Sequence, residues 1–310
     1  MKTKIIIGTR SSKLALWQAE YIASCLREEY PGLIVELRHI TTTGDKILDA
    51  PLAKIGGKGL FTKELETEML AGDIDLAVHS LKDMPTEIPA GLTLAAITRR
   101  FDPFDALVSP QYKSLSELPQ GAKVGTSSLR RKAQLLAQRP DLVIADLRGN
   151  VNTRLRKLDD GEYDAIVLAA AGLKRLGFGD RIAQVLPAEL CMPAVGQGAL
   201  AIEAREADTE VLGMLAFLQD ESTAFAATAE RAFLATIEGG CQVPVGVFAQ
   251  KAENGQLFVE ALVASTDGKR IFRETMTGAM QDAETIGKNL AHKILAAGGL
   301  SVLQEIGLLL

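Results

Sequence analysis

The sequence predicts an α/β protein with two similar, doubly wound lobes around a cleft and a small C-terminal α+β domain. Three observations carry this expectation. A chain of 310 residues exceeds the size at which single hydrophobic cores stop growing. Its first 200 residues contain an internal echo. From about residue 219 the texture changes from long strand–helix alternation to short strands.

The echo begins at Ile5-Ile6-Ile7-Gly8-Thr9-Arg10-Ser11-Ser12, which resembles Val124-Gly125-Thr126-Ser127-Ser128. Each reads as strand, glycine turn, hydroxyl N-cap and amphipathic helix. A second pair is GDIDLAVHS (72–80) and GEYDAIVLA (161–169), both strands entered through glycine and acidic residues. Continuous apolar strands alternating with helical patterns predict parallel sheets covered on both faces.

Between the first two strands of the echo, residues 41–60 (TTTGDKILDAPLAKIGGKGL) form a long, glycine- and lysine-rich connection of the kind used for binding loops. The pattern breaks at RRFDPFD, near Arg99 to Pro103, and LPAELCMPAVGQGA (186–199) has the look of a linker. These breaks predict a first lobe over 1–98 with a return segment at 199–216, and a second lobe over 103–192. The remaining domain is expected over 219–310. It should contain a helix from Ala224 to Ile237, strands at 243–249, 256–264 and 270–277, and a helix at 281–296. Asp267-Gly268 is a hairpin turn signal.

The composition, 47% hydrophobic and 24% charged, is that of an ordinary globular protein. The longest wholly apolar run, Ala165 to Ala171, is far too short to span a membrane. The chain enters a strand pattern at once, without the apolar region of a signal peptide, and a cytoplasmic location is expected. Cys25, Cys191 and Cys241 are too few and scattered for a disulfide framework, and with His39, His79 and His292 they show no metal-ligand spacing. No metal, nucleic acid or membrane partner is expected, and no oligomer signature is visible.

A net charge of −5 argues against general nucleic-acid binding. Yet Lys123 to Lys157 holds nine Lys or Arg opposed only by Asp141 and Asp146, which suggests a local site for a small polyanion. Helix N-termini attract anions through free N–H groups and the helix dipole. The two echoed turns and LRGNVNTRLRKL (147–158) offer three such starts, carrying Arg10, Arg130, Arg131, Arg148 and Arg154 with Ser12, Ser128 and Thr153 nearby. Arginine pairs bidentately with carboxylates and phosphates. The pattern describes a ligand with several acid groups.

Within IDLAVHSLKDMP, Ser80, Lys82 and Asp83 follow the carboxyl end of a strand, where open α/β sheets bind ligands. Asp83 reads either as a turn residue before Pro85 or as the lone carboxylate of a cationic cleft, able to stabilise developing positive charge. His79 belongs to the strand and reads as packed. In IEGGCQVPVG, Gly239 and Gly240 are expected to close the preceding helix, leaving Cys241 on a turn before Pro244. That thiol is either a buried structural cysteine or an attachment point, since no histidine has the context of a catalytic base beside it.

GTRSSKLALWQ, GGKGLFTKELE, AVHSLKDMP, GTSSLRR, LRGNVNTRL, AVGQGAL and EGGCQVPVG, in this order, resemble the signatures of the porphobilinogen deaminase (hydroxymethylbilane synthase) family nearly end to end. The C-terminus resembles it mainly in architecture. The resemblance implies periplasmic-binding-protein-like lobes and a transferase of tetrapyrrole (haem) biosynthesis. It implies that four porphobilinogens are joined head to tail with release of ammonia, on a dipyrromethane cofactor held by Cys241 through a thioether, before hydrolysis frees hydroxymethylbilane. It further implies that Asp83 is the catalytic carboxylate. Lys82, Ser80, Thr126, Ser128, Arg130 and Arg131 would hold the cofactor's carboxylates. Arg10, Ser12, Gln18, Arg148, Arg154 and Arg175 would bind substrate and the growing chain. Lys54, Lys58 and Phe61 would belong to a lid, and a monomer is the family expectation.

Overall fold

The computed structural model describes residues 2–46, 59–238 and 243–307. It divides into two compact units, one of Met1–Arg100 with Ala199–Ala224 and one of Phe101–Gly198 with Phe225–Leu310. Residues 219–224 thus belong to the first unit, and the C-terminal strands share a unit with the second lobe.

In the first unit, β1 (Lys4–Thr9), β2 (Ile34–His39), β3 (Leu76–Ser80), β4 (Leu92–Ile97) and β10 (Leu200–Arg205) form one sheet in the order β2-β1-β3-β10-β4. In the second, β5 (Asp105–Val108), β6 (Lys123–Gly125), β7 (Val143–Ala145), β8 (Ala165–Ala169) and β9 (Ile182–Leu186) take the order β7-β6-β8-β5-β9. The two orders are the same pattern, so the sequence echo is a fold repeat. Each sheet is mixed, which differs from the all-parallel expectation. β10 runs antiparallel to β3 and β4, and β5 antiparallel to β8 and β9. Both are the strands that follow a crossing between units, and apolar runs alone do not encode their direction.

Both faces of each sheet are apolar, as doubly covered strands require. In the first, Ile5, Ile7, Leu76 and Ile202 pack with Ile22 and Leu26 of α1 (Lys13–Glu29). Ile40, Ile74 and Ala77 pack with Leu65 and Met69 of the helix Lys63–Leu70 on the other face. In β5, Leu107 faces one core and Ala106 and Val108 the other. Each fully buried Leu or Ile contributes about 1.5–3 kcal/mol by leaving water.

The C-terminal part is an antiparallel meander of β11 (Val245–Lys251), β12 (Leu257–Ala264) and β13 (Ile271–Gly278). It packs against helices Glu221–Thr236 and Ala283–Ile294 through Phe233, Val247, Val259, Leu290 and Ile294. The first of these helices starts three residues before the expected Ala224 because Asp220 Oδ1 accepts from Thr223 N at 2.7 Å. The last one kinks at Gly298 (φ +122°) and continues as Leu300–Glu305. The predicted hairpin turn is present, with Gly268 at φ +73° and Ser265 N donating to Arg270 O at 2.8 Å. The glycine pair expected to close the helix before Cys241, Gly239 and Gly240, lies outside the described residues, as does Cys241 itself. Glu238, the last described residue there, is left-handed (φ +51°).

Candidate active site

In the first unit, β1 ends in the turn that carries Arg10, and Ser12 caps α1 by accepting from Ala15 N at 3.3 Å. The chain leaves β3 at Ser80 and makes a single 3-10 turn, Leu81–Asp83, closed by Met84 N donating to Leu81 O. This turn places Asp83 at the carboxyl end of the sheet with its side chain exposed. Gln18, buried on α1, donates to Ser80 Oγ at 2.8 Å and ties the two segments together. One pocket is lined by Arg10, Ser12, Gln18, His79, Ser80 and Asp83, together with Phe61. Residues predicted from three motifs, Arg10, Ser12 and Gln18 from one, Phe61 from a second, and Ser80 with Asp83 from a third, therefore meet in one place.

Arg10 is not the bare cation that its motif suggests. Its Nε donates to Asp45 Oδ1 and Oδ2 at 3.1 Å, its Nη2 also pairs with that carboxylate, and its guanidinium lies 4.2 Å from the Phe61 ring centroid. Asp45 is thus a carboxylate engaged by Arg10, outside the lining that holds Asp83. Burial pushes its pKa up, but Arg10 and Thr42 outweigh burial and hold the carboxyl below its ordinary range.

In the pocket wall, His79 is packed as its strand position implies, with Nε2 3.1 Å from Oε2 of the fully buried Glu203 on β10. Glu66 is buried near this pair, and burial followed by the Glu203 charge pushes its carboxyl above the usual range despite Thr62 and His79.

In the second unit, Ser128 caps the helix Leu129–Gln138 by accepting from Arg131 N at 3.4 Å. Ser127 Oγ donates to Leu147 O and accepts from Leu147 N at 3.0 Å, which sets the GTSS turn beside the LRGN turn. There Asn150, and not Thr153, is the N-cap of the helix Val151–Asp159, accepting from Thr153 N at 2.9 Å. Arg154 Nε donates to Gly149 O at 2.7 Å, and Arg175 Nη2 to Gly198 O at 2.8 Å. Thr126 is buried and accepts from Ser128 N at 3.2 Å.

The basic segment is less unbalanced than its +7 count. The count already sets Asp141 against Arg139, with which it pairs, and Asp105 from outside the segment adds a further negative charge. Arg130 and Arg131, expected to face cofactor carboxylates, are buried on either side of Asp105, each at 2.7 Å. Arg130 also donates to Met192 O, and Arg131 to Val167 O. Burial opposes the Asp105 charge, but the two guanidinium charges hold its carboxyl far below the usual range. Asp105 was hidden in the RRFDPFD break; its one signal is an acidic residue opening an apolar strand. Two donors here lack a partner among the described residues, the buried Arg131 Nε and Arg148 Nη1. Unpaired buried guanidinium N–H groups call for an acceptor, and a carboxylate-rich group fits them.

Lys54, Lys58 and Cys241 lie outside the described residues. Lys82 is half-buried beside Asp83. Of the other thiols, Cys25 is partly buried on α1 with its pKa raised by burial. Cys191 is fully buried, and burial with the Asp105 charge pushes it up to about 12. Among the described residues no helix is long and apolar enough to cross a membrane, and no His, Cys, Asp and Glu cluster could hold a metal ion.

The repeated five-stranded sheets with helices on both faces define the class of two-lobed, doubly wound α/β proteins. Solved structures similar to this chain include the methionine-binding protein MetQ (18% identity, TM-score 0.45, 74% of this chain and 95% of that one). They also include the periplasmic VFT2 domain of Bordetella pertussis BvgS (16%, 0.40, 69% and 85%). A third is the alkanesulfonate-binding protein SsuA of Xanthomonas axonopodis pv. citri, bound to MOPS (12%, 0.38, 75% and 74%).

Residues 5–213 match the family model described as porphobilinogen deaminase, dipyrromethane cofactor binding domain, and residues 224–296 match the porphobilinogen deaminase C-terminal domain. The chain belongs to the porphobilinogen deaminase family. Its function is hydroxymethylbilane synthesis in the tetrapyrrole pathway, as a transferase with a dipyrromethane cofactor.

Proposed function

We propose that this enzyme is a hydroxymethylbilane synthase that joins four porphobilinogens with Asp83 as its catalytic carboxylate and Cys241 as the cofactor's anchor. The observation that carries the reading is the pocket in which the exposed Asp83 shares a wall with Arg10, Ser12, Gln18 and Ser80. Porphobilinogen brings two carboxylates and an aminomethyl group, so a site for it needs cationic donors around one anion.

Asp83 is suited to the bond-breaking step. When the C–N bond breaks, the electron pair leaves with nitrogen as ammonia, and the methylene carbon and pyrrole nitrogen share a positive charge. A carboxylate within reach of that N–H accepts its hydrogen bond and stabilises the charge as it develops. When bound, the dipyrromethane supplies the nucleophilic pyrrole carbon to which the first unit is joined. The proton that carbon would give up would balance the departing ammonia as ammonium. Ser80, Lys82, Thr126, Ser128 and the arginine pair Arg130–Arg131 would hold the cofactor's acid groups. Asp105 engages both arginines, and Arg131 keeps its Nε donor for a cofactor carboxylate. Arg10, Ser12, Gln18, Arg148, Arg154 and Arg175 would take substrate and chain carboxylates. Lys54, Lys58 and Phe61 are assigned to the lid.

Chemistry favours Cys241 as the anchor. Alkylation requires a thiolate, and burial disfavours it at both Cys25 and Cys191. The same reading takes 1–98 with 199–216, 103–192 and 219–310 as the domains of a cytoplasmic monomer. The test is product stoichiometry. Purified enzyme given porphobilinogen should release one ammonia per substrate and one linear tetrapyrrole per four; binding without ammonia release would refute an enzyme.

A further inference from the structure

Arg10 is gripped from two directions, by Phe61, given above to the lid, and by Asp45, to which no role in this reaction is assigned. Asp45 takes the Nε and Nη2 side of the guanidinium. Phe61 covers one of its faces. Asp45 is fixed in turn, because Oδ2 accepts from Thr42 N at 3.2 Å and from Thr42 Oγ1 at 2.8 Å. The turn carrying it is stapled to the helix Lys63–Leu70, since Glu64 Oε1 accepts from Thr43 N at 2.9 Å. Gly44 N donates to Leu60 O at 2.8 Å. A Cβ at Gly44 would lie 2.2 Å from the Phe61 ring, so only glycine lets that ring close over Arg10.

What remains of the guanidinium is the Nη1 side, which meets no acceptor among the described residues, on a residue that lines the Asp83 pocket. An arginine side chain is rich in rotamers, and binding is weakened by whatever part of that freedom must be lost on complex formation. Here Asp45 and Phe61 have already removed it. A planar cation held along one side and one face presents its open end in a single direction.

We propose that Asp45 is a positioning residue for the substrate. It stays on Arg10 through turnover, holding the guanidinium so that its remaining donors meet a porphobilinogen carboxylate in the Asp83 pocket. The inference rests on the substrate role given to Arg10 above. It contrasts with the view that Asp45 occupies the substrate's own place and must be displaced.

Steady-state kinetics of Asp45→Ala and Asp45→Asn, alone and combined with Arg10→Lys, test it. Intact mass and a melting curve for each variant confirm cofactor content and fold. Asp45→Asn keeps the shape and an acceptor for Thr42, so it serves if the alanine variant folds poorly. The expected result is a KM for porphobilinogen raised about 3- to 10-fold, the worth of one immobilised rotamer-rich side chain. The kcat should stay within about 2-fold, and Asp45→Ala should change kcat/KM less than about 2-fold in the Arg10→Lys background, because the two act through one contact. A lowered KM would show that Asp45 competes with substrate and overturns the proposal. An unchanged KM, or effects that multiply in the double variant while Arg10→Lys alone is impaired, also overturns it. A normal KM in Arg10→Lys would instead sink the substrate role of Arg10, and the proposal with it.

Discussion

Asp83 and Asp105 both stand at strand ends, yet their surroundings assign them opposite tasks. Asp105 is fully buried between two arginines. Asp105→Asn keeps its shape but leaves two buried guanidinium charges without a counter-ion, a loss of about 3–5 kcal/mol. The sign with pH follows from its depressed folded-state pKa. The carboxylate stabilises the fold above the ordinary carboxylate range and loses that contribution as pH falls toward the depressed value. Denaturant melts should therefore separate wild type from variant widely at pH 7 and converge in strong acid. An unchanged midpoint at pH 7 would remove Asp105 from the core account. Asp83 is exposed, and Asp83→Asn should shift stability by no more than about 0.5 kcal/mol. Turnover should instead fall at least ~10²-fold, the low end for an electrostatic stabiliser, with the cofactor mass retained. A near-normal rate across pH would refute its role.

At the scale of elements, the hairpin tip at Gly268 is decisive for how the meander docks. A Cβ there would lie 2.4 Å from Ala133 O, on a residue at φ +73°. Gly268→Ala should cost more than the roughly 1–2 kcal/mol of left-handed backbone alone, read as a lowered Tm. A Tm within a degree of wild type would mean that the tip is loosely seated. The buried layer between β3, β10 and the helix Lys63–Leu70 makes a pH prediction of opposite sign to that of Asp105. Glu66 has a raised folded-state pKa, so its protonated form favours the fold, and stability is lost as pH rises through that value. Glu66→Gln should melt above wild type at pH 8, with the gap closing near pH 4; a gap independent of pH would contradict this. These elements show what sequence can convey. Strands, caps and the hairpin were legible because apolar runs, hydroxyls and Asp-Gly act locally. The direction of β5 and β10 was not, because it depends on where the chain crosses between units. Glu66, Glu203 and Asp105 were missed because a buried charge is recognisable only by its distant partner.

The whole molecule repeats one five-stranded topology twice, and the site residues in each half come from corresponding positions. Arg10 and Ser12 follow β1 as Ser128, Arg130 and Arg131 follow β6. This repetition was legible as the echo of two glycine–hydroxyl turns. Asp45 was not, because its meaning lies in the arginine it holds. The central claim is that the chain builds tetrapyrrole on a dipyrromethane joined to Cys241. Intact-mass measurement of the purified protein tests it most directly, with wild type, Cys241→Ser and Cys191→Ser compared. The account predicts that wild type and Cys191→Ser exceed the chain mass by two linked pyrrole units, while Cys241→Ser shows the chain mass alone. An active wild type at bare chain mass, or an adduct that survives in Cys241→Ser, would contradict it.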